Sequence, residues 1–75
     1  MDISNLKVGQ RYIFRIKPFE TALDVLPGEA KTRTFVGIED IGPVGMAKEP
    51  FVEVERDNGK RHLIAVSTIE AIEPV

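Results

Sequence analysis

The stretch that most constrains this chain runs over residues 51–66, FVEVERDNGKRHLIAV. Runs rich in valine, isoleucine and alternating charge flank the tripeptide Asp57-Asn58-Gly59, and neither run contains proline. Asparagine and glycine tolerate the left-handed backbone conformations that tight hairpin turns require. The stretch therefore predicts a β-hairpin, and the other strands have to be arranged around it.

The turn sequence allows two pairing registers. A two-residue turn on Asn58-Gly59 would set Arg56 against Arg61, and like charges directly opposite each other destabilise a sheet. A three-residue loop, with Gly59 in the left-handed conformation as a bulge, sets Glu55 against Arg61 instead. We favour the three-residue loop because it replaces a repulsive cross-strand pair by an attractive one.

The favoured register also divides the apolar side chains of the hairpin between two faces. The inner face is predicted to carry Val52, Val54, Ile64 and Val66. Phe51 and Leu63 then fall on the outer face, because side chains alternate along a strand. Their outward position is not explained by core packing.

Three more strands are predicted outside the hairpin. Residues 11–17 alternate apolar and basic side chains, which is typical of a half-buried strand with Tyr12, Phe14 and Ile16 inward. Residues 31–41 form a second strand, in which Gly37 predicts a bulge or bend. A short closing strand at 70–73 follows a corner at Ser67-Thr68-Ile69.

The segments between these strands are less regular. Residues 18–30 predict a long loop packed by Phe19, Leu23 and Leu26, which serves either for binding or as a cover for one end of the domain. Residues 44–47 stand between glycine-rich and polar turns and form a candidate short strand.

Length and composition exclude several classes of protein. The 75 residues suffice for one small domain, and the net charge of −2 argues against a surface that binds polyanions all over. The absence of cysteine excludes disulfides and thiolate metal sites. No apolar run approaches the roughly 18 residues of a membrane span. The start, Met1-Asp2-Ile3-Ser4, lacks a signal-peptide pattern, so a cytoplasmic location is predicted.

The order of these elements resembles the small five-stranded barrels of the Src-homology-3-like (SH3-like) class. The resemblance rests on Val8-Gly9, the loop 18–30, the Asp57-Asn58-Gly59 turn, and Ser67-Thr68-Ile69 before Ala71-Ile72. It implies an all-β, single-domain barrel over residues 1–75. Many unrelated families share this fold, so it implies no particular activity. The chain has no tryptophan, and a groove for proline-rich peptides would lack aromatic walls.

Catalysis is not indicated by the residues. His62 is the only histidine, and it falls on the inner face of the favoured register, where a structural role is the usual one. Ser67 and Thr68 follow it too closely for the geometry of a catalytic triad. Glu39-Asp40 and the pair Glu53 and Glu55 match no metal-binding loop, and solvated strand faces explain them better. We therefore predict no enzyme activity, no metal and no cofactor.

Basic side chains offer one candidate binding surface. Arg11, Arg15 and Lys17 share the outer face of the first strand, and Arg33 is predicted to join them from the neighbouring strand. Small barrels bind single-stranded nucleic acid on such faces. The alternative to binding is a solvated face with cross-strand ion pairs.

Apolar side chains on outer faces offer the other candidate surface. Ile13, Phe51 and Leu63 fall outward in the predicted registers, and Met46 lies in a glycine-flanked loop. Such residues mark an interface where they form one patch. Our main prediction is a non-enzymatic module that binds protein or forms a homodimer through these residues, and the second is a nucleic-acid-binding barrel.

Overall fold

The fold is all-β, as the alternating sequences predict. A computed structural model describes residues 3–75. Met1 and Asp2, on which the signal-peptide prediction partly rests, lie outside the described residues. The strands are β1 (Arg11–Ile16), β2 (Phe19–Glu20), β3 (Val25–Leu26), β4 (Glu29–Ile41), β5 (Glu49–Glu55), β6 (Arg61–Ala65) and β7 (Ile69–Pro74). Short 3₁₀ turns cover Ile3–Asn5 and Val66–Thr68. None of the helical segments within residues 3–75 has the length and apolar character needed to cross a membrane.

One antiparallel sheet contains five of the strands, in the order β6-β5-β4-β1-β7. Strands β2 and β3 form a separate two-stranded hairpin. The long strand β4 pairs with β1 through its first half and with β5 through its second half. The register shifts between Phe35 and Gly37, which confirms the predicted bulge and leaves Val36 as the extra residue.

The core lies on the inner face of this sheet. Its buried members are Tyr12, Phe14, Phe35, Val52, Val54, Ile64 and Ile69, and partly buried Ile16 and Val66 pack against them. Tyr12 and Phe14 meet edge to face, with ring centroids 6.3 Å apart. The inward positions predicted for the first strand and for the hairpin are therefore confirmed.

The hairpin adopts the three-residue loop. Glu55 lies opposite Arg61, and Arg61 Nε is 3.0 Å from Glu55 Oε2. Gly59 has φ +84°, a conformation that glycine adopts without the penalty that a side chain would bring. The Arg56 N–H donates to the Lys60 carbonyl at 2.8 Å and closes the loop. The predicted preference for an opposite-charge pair is confirmed.

The sheet does not close into a barrel in the described chain. Its end strands, β6 and β7, lie at opposite ends of the strand order and are not paired with each other. The 3₁₀ turn Val66–Thr68 carries the chain from one end of the sheet to the other, and the Lys17 N–H donates to its Thr68 carbonyl at 2.8 Å. Beside the turn, β6 has a free edge.

Two predictions about connecting segments are wrong. Residues 44–47 form a turn rather than a strand. Residues 18–30 are not a packed loop: they hold the β2–β3 hairpin and the first residues of β4. Phe19, Leu23 and Leu26 are 62%, 98% and 52% exposed, so they do not pack on the core as predicted.

Candidate functional site

A pocket of about 530 Å³ opens beside the free edge of β6, where the end of β1 comes near that strand. Its apolar lining includes Ile16, Phe19 and Ile64, and its basic lining includes Lys17, Lys31 and His62. No aspartate or glutamate is among the described residues that line it. The pocket is therefore both apolar and cationic, in a chain whose net charge is negative.

The sheet register explains why basic side chains reach this pocket. Directly paired residues of neighbouring antiparallel strands share one face of a sheet. Lys31 lies opposite Phe14, and His62 lies opposite Val54, so both are on the inner face. Both are half-buried and line the pocket beside the core residues with which they pair.

Arg33 also lies on the inner face, and the prediction that it joins the basic outer face of β1 is wrong. It is paired with Tyr12, which is buried. Its Nε donates to His62 Nε2 at 3.2 Å, and its Nη1 donates to the Thr32 carbonyl at 2.8 Å. The alternation Lys31, Arg33, Phe35 carried this information, because residues two apart share a face.

These surroundings favour the neutral form of His62. Its Nε2 accepts the hydrogen bond from Arg33, which places the ring proton on Nδ1. Burial, and then the positive charges of Arg56, Arg33 and Lys31, lower the pKa of His62 below its ordinary value of 6.5. The histidine lies on the inner face as predicted, and it acts as an acceptor that orients a guanidinium.

This arrangement predicts a pH dependence for His62. We expect NMR titration of the imidazole to give a pKa below 6.5, and Arg33→Gln to raise that pKa by removing a nearby cation. Because the folded-state pKa is below the unfolded one, the associated stability is present above about pH 6.5 and is lost as the pH falls towards the folded pKa. A pKa at or above 6.5 in the folded protein would contradict this account.

The three remaining cations of the predicted nucleic-acid surface have partners inside the chain. Arg15 forms a two-bond contact with Glu73 at 2.9 and 3.2 Å, which lowers the pKa of Glu73. Arg11 lies 3.4 Å from Asp57, and Lys17 Nζ donates to the Ser67 carbonyl. On the outer face of β1, Arg11 and Arg15 therefore form exposed ion pairs rather than a row of unpaired positive charges, whereas Lys17 lies past the end of β1 and lines the pocket.

The four apolar residues predicted for an interface do not form a single patch. Leu63, which is 41% exposed, lies opposite Glu53 and diagonal to Phe51 on the outer face. Ile13 lies on β1 opposite Thr32, beyond the part of β4 that pairs with Phe51. Met46 is exposed in the turn between β4 and β5.

The β2–β3 hairpin is a surface that sequence reasoning missed, and we call residues 19–26 the arm. Phe19 pairs with Leu26 across it, and Val25 is 57% exposed. Its turn is held by polar bonds, since the Asp24 N–H donates to Thr21 Oγ1 at 2.9 Å and the Thr21 N–H donates to the Asp24 carbonyl at 2.7 Å. The arm adjoins the pocket through Phe19.

Gly28 sets the position of the arm relative to β1. A Cβ atom at this residue would lie 2.7 Å from the Ile16 carbonyl oxygen, closer than real Cβ contacts allow. Only glycine therefore lets the chain after the arm pass this close to the end of β1. Proline followed by glycine is typical of a turn, but this contact between distant residues is not visible in the sequence.

Comparison with known proteins gives no family. No protein-family model matches the chain, and neither a curated protein nor a solved structure matches it significantly. Among the described residues, no group of three or more histidine, aspartate or glutamate side chains is placed to hold a metal ion. The arm, the pocket and the free edge of β6 are thus the features on which a function can be argued.

Proposed function

We propose that this chain is a small, non-enzymatic interaction module that binds protein through the arm and the pocket beside it. The observation that carries the proposal is the exposure of the large apolar side chains of the arm. Phe19, Leu23, Val25 and Leu26 are between 52% and 98% exposed. Phe19 and Leu26 pair across the arm and share one of its faces, and exposed apolar side chains placed together on a small protein are typical of an interaction site.

The construction of the arm supports this reading. Its turn is closed by bonds involving Thr21 and Asp24, so its shape does not depend on burying its apolar side chains. A ribbon that is ordered before binding loses less conformational entropy when a partner covers it. Phe19 belongs to both the arm and the pocket, which makes the two one continuous surface.

We also propose an SH3-like fold and a cytoplasmic location for this domain. The bent β4, the 3₁₀ turn before β7 and the projecting segment after β1 support an SH3-like fold with an open side. A cytoplasmic location fits a small domain without cysteine. The protein that this module binds can also be a second copy of the same chain.

Nucleic-acid binding is the second candidate. It is favoured by Lys17 and Lys31 in the pocket, with no carboxylate among the described lining residues. Phe19 is the single aromatic side chain in that lining, whereas single-strand binders stack successive bases on several. Arg11 and Arg15 are already paired with acidic side chains. Protein binding is therefore the better supported function.

The proposal predicts that ligand binding depends on the arm. Peptides selected on the wild-type protein from a random library should bind Phe19→Ser and Leu26→Ser at least about tenfold more weakly, because truncating a central hot-spot side chain costs about 2 kcal/mol or more and about 1.4 kcal/mol is tenfold. Fluorescence anisotropy measures these affinities. Val44→Ser is the matched control, since Val44 is fully exposed in the turn between β4 and β5.

Each outcome of this experiment decides the proposal. Selected peptides that bind both arm variants as tightly as wild type would refute a role for the arm. Failure to select any peptide, together with salt-dependent binding of an oligothymidylate, would replace protein binding by the second candidate. Weakened binding in the arm variants, with the control unchanged, supports the proposal.

A further inference from the structure

We propose that the pocket side of β6 takes an extended acidic peptide as an added strand, with an acidic side chain between Lys17 and Lys31. This inference rests on the proposed function and specifies its ligand. Three features carry it: the free backbone groups of β6, the basic side chains that line the pocket, and the apolar surface beside them.

The free edge follows from the hydrogen-bond pattern of the β5–β6 hairpin. Pairs in an antiparallel ladder alternate between bonded and non-bonded. The bond from the Arg56 N–H to the Lys60 carbonyl starts the alternation, so His62 and Ile64 bond to β5, and Leu63 points its backbone groups away from it. Ala65 likewise points its backbone groups away from β5, and its carbonyl accepts a hydrogen bond from the Thr68 hydroxyl at 2.7 Å.

The outward backbone groups of β6 border the pocket. Leu63 and Ala65 both line it. Within residues 3–75, β6 has β5 as its single strand neighbour, so no strand covers the N–H and carbonyl of Leu63. Unpaired edge groups of this kind receive an extended peptide in many recognition domains.

The charge of the pocket specifies the ligand. Lys17 and Lys31 line it, Arg33 and Arg56 lie close enough to affect His62, and the described lining includes no acid. Lys17 Nζ donates to the backbone carbonyl of Ser67, and within residues 3–75 it takes part in no ion pair. A carboxylate from a ligand would complement this charge.

Strand geometry gives the spacing of the ligand side chains. Residues two apart in an added strand share one face, and the pocket beside β6 is lined both by the two lysines and by the apolar side chains of Ile16 and Phe19. The preferred ligand therefore carries an acidic residue and an apolar residue at positions i and i+2. The residue between them points its side chain outward and its backbone N–H towards Leu63.

A second copy of the chain is a weaker candidate for this edge. The other sheet end, β7, carries Glu70 and Glu73, but Glu73 is already engaged by Arg15, and Pro74 has no N–H to donate. Nucleic acid would use the lysines but not the backbone groups of β6. Both alternatives enter the test as outcomes that contradict the proposal.

The test uses the full chain and a synthetic peptide, Thr-Thr-Glu-Thr-Val-Thr-Thr, with a fluorescent label. We expect binding to weaken at least about tenfold when Gln replaces Glu or when Lys31→Glu reverses the charge at that position. Lys7→Glu, on the exposed segment before β1, is the matched control. Lys17→Glu, a second charge reversal in the pocket lining, should weaken binding in the same way. Circular dichroism of each variant shows whether it is folded.

Methylated peptides test the added strand without changing the protein. N-methylation of the Thr between Glu and Val removes the donor that faces Leu63, and we expect binding to fall at least about tenfold. N-methylation of the Val modifies a donor on the opposite edge of the peptide, and binding should be retained. Equal effects of the two methyl groups would overturn strand addition.

The remaining outcomes separate this inference from the proposed function. If library peptides bind through the arm but are unaffected by Lys31→Glu, the interaction module stands and the acidic strand fails. If the arm variants also bind normally, both fail. Light scattering that shows a dimer abolished by Lys31→Glu assigns the edge to a second copy. Tighter binding of an oligothymidylate than of the peptide assigns the pocket to nucleic acid. Either result overturns the acidic-peptide proposal.

Discussion

Phe14→Ala is expected to remove most of the stability of this domain. Phe14 is completely buried at the centre of β1, between β4 and β7, and it packs edge to face on Tyr12. Replacing a buried phenylalanine by alanine costs about 3–5 kcal/mol. A domain of 75 residues has only roughly 4–11 kcal/mol of stability at typical values per residue. We therefore expect a large fall in the urea midpoint, or a chain that is unfolded without denaturant.

Leu23→Ala provides the control for this measurement. Leu23 is also a large apolar residue, but it is 98% exposed at the tip of the arm, so its truncation should change the free energy of unfolding by less than about 0.5 kcal/mol. Phe14→Leu, which fills more of the same space, should lie between the two. Equal stability of Phe14→Ala and Leu23→Ala would mean that the core is not built around β1.

The core could be predicted because alternation and charge both act locally. Tyr12, Phe14 and Ile16 repeat every second residue, and this period alone places them on one face. The hairpin register was predicted by asking whether Arg56 or Glu55 lies opposite Arg61. In the structure Glu55 lies there, which gives the pair of opposite charges. Both predictions required only the strand period and nearest cross-strand neighbours.

The candidate site was harder to predict because it depends on where the core ends. Arg33 was assigned to the outside for its charge, although its spacing from Phe35 places it inside. A charged residue is tolerated there because Arg33 is only half-buried and its guanidinium donates to His62 and to the Thr32 carbonyl. The pocket itself arises from contacts between residues far apart in sequence, which a single sequence does not reveal.

The arm was missed for a related reason. Phe19 and Leu26 were expected to fold inward, since large apolar residues in a long loop usually cover the core. In the structure they pair with each other across β2 and β3, and the turn between them is held by Thr21 and Asp24. The strands on either side of this turn have two residues each, which is too short for a clear alternation of apolar and polar side chains. The sequence therefore did not predict the hairpin or the exposure of its apolar side chains.

Amide hydrogen exchange along β6 tests the central claim, which is that this strand presents a free edge to the pocket. In the free protein, at a concentration where light scattering shows a monomer, the amides of His62 and Ile64 should exchange at least about a thousandfold more slowly than that of Leu63. The reason is that their N–H groups bond to β5, whereas that of Leu63 faces the pocket. Addition of the acidic peptide should then slow exchange at Leu63. A Leu63 amide that is as protected as those of His62 and Ile64 in the free monomer would contradict the account.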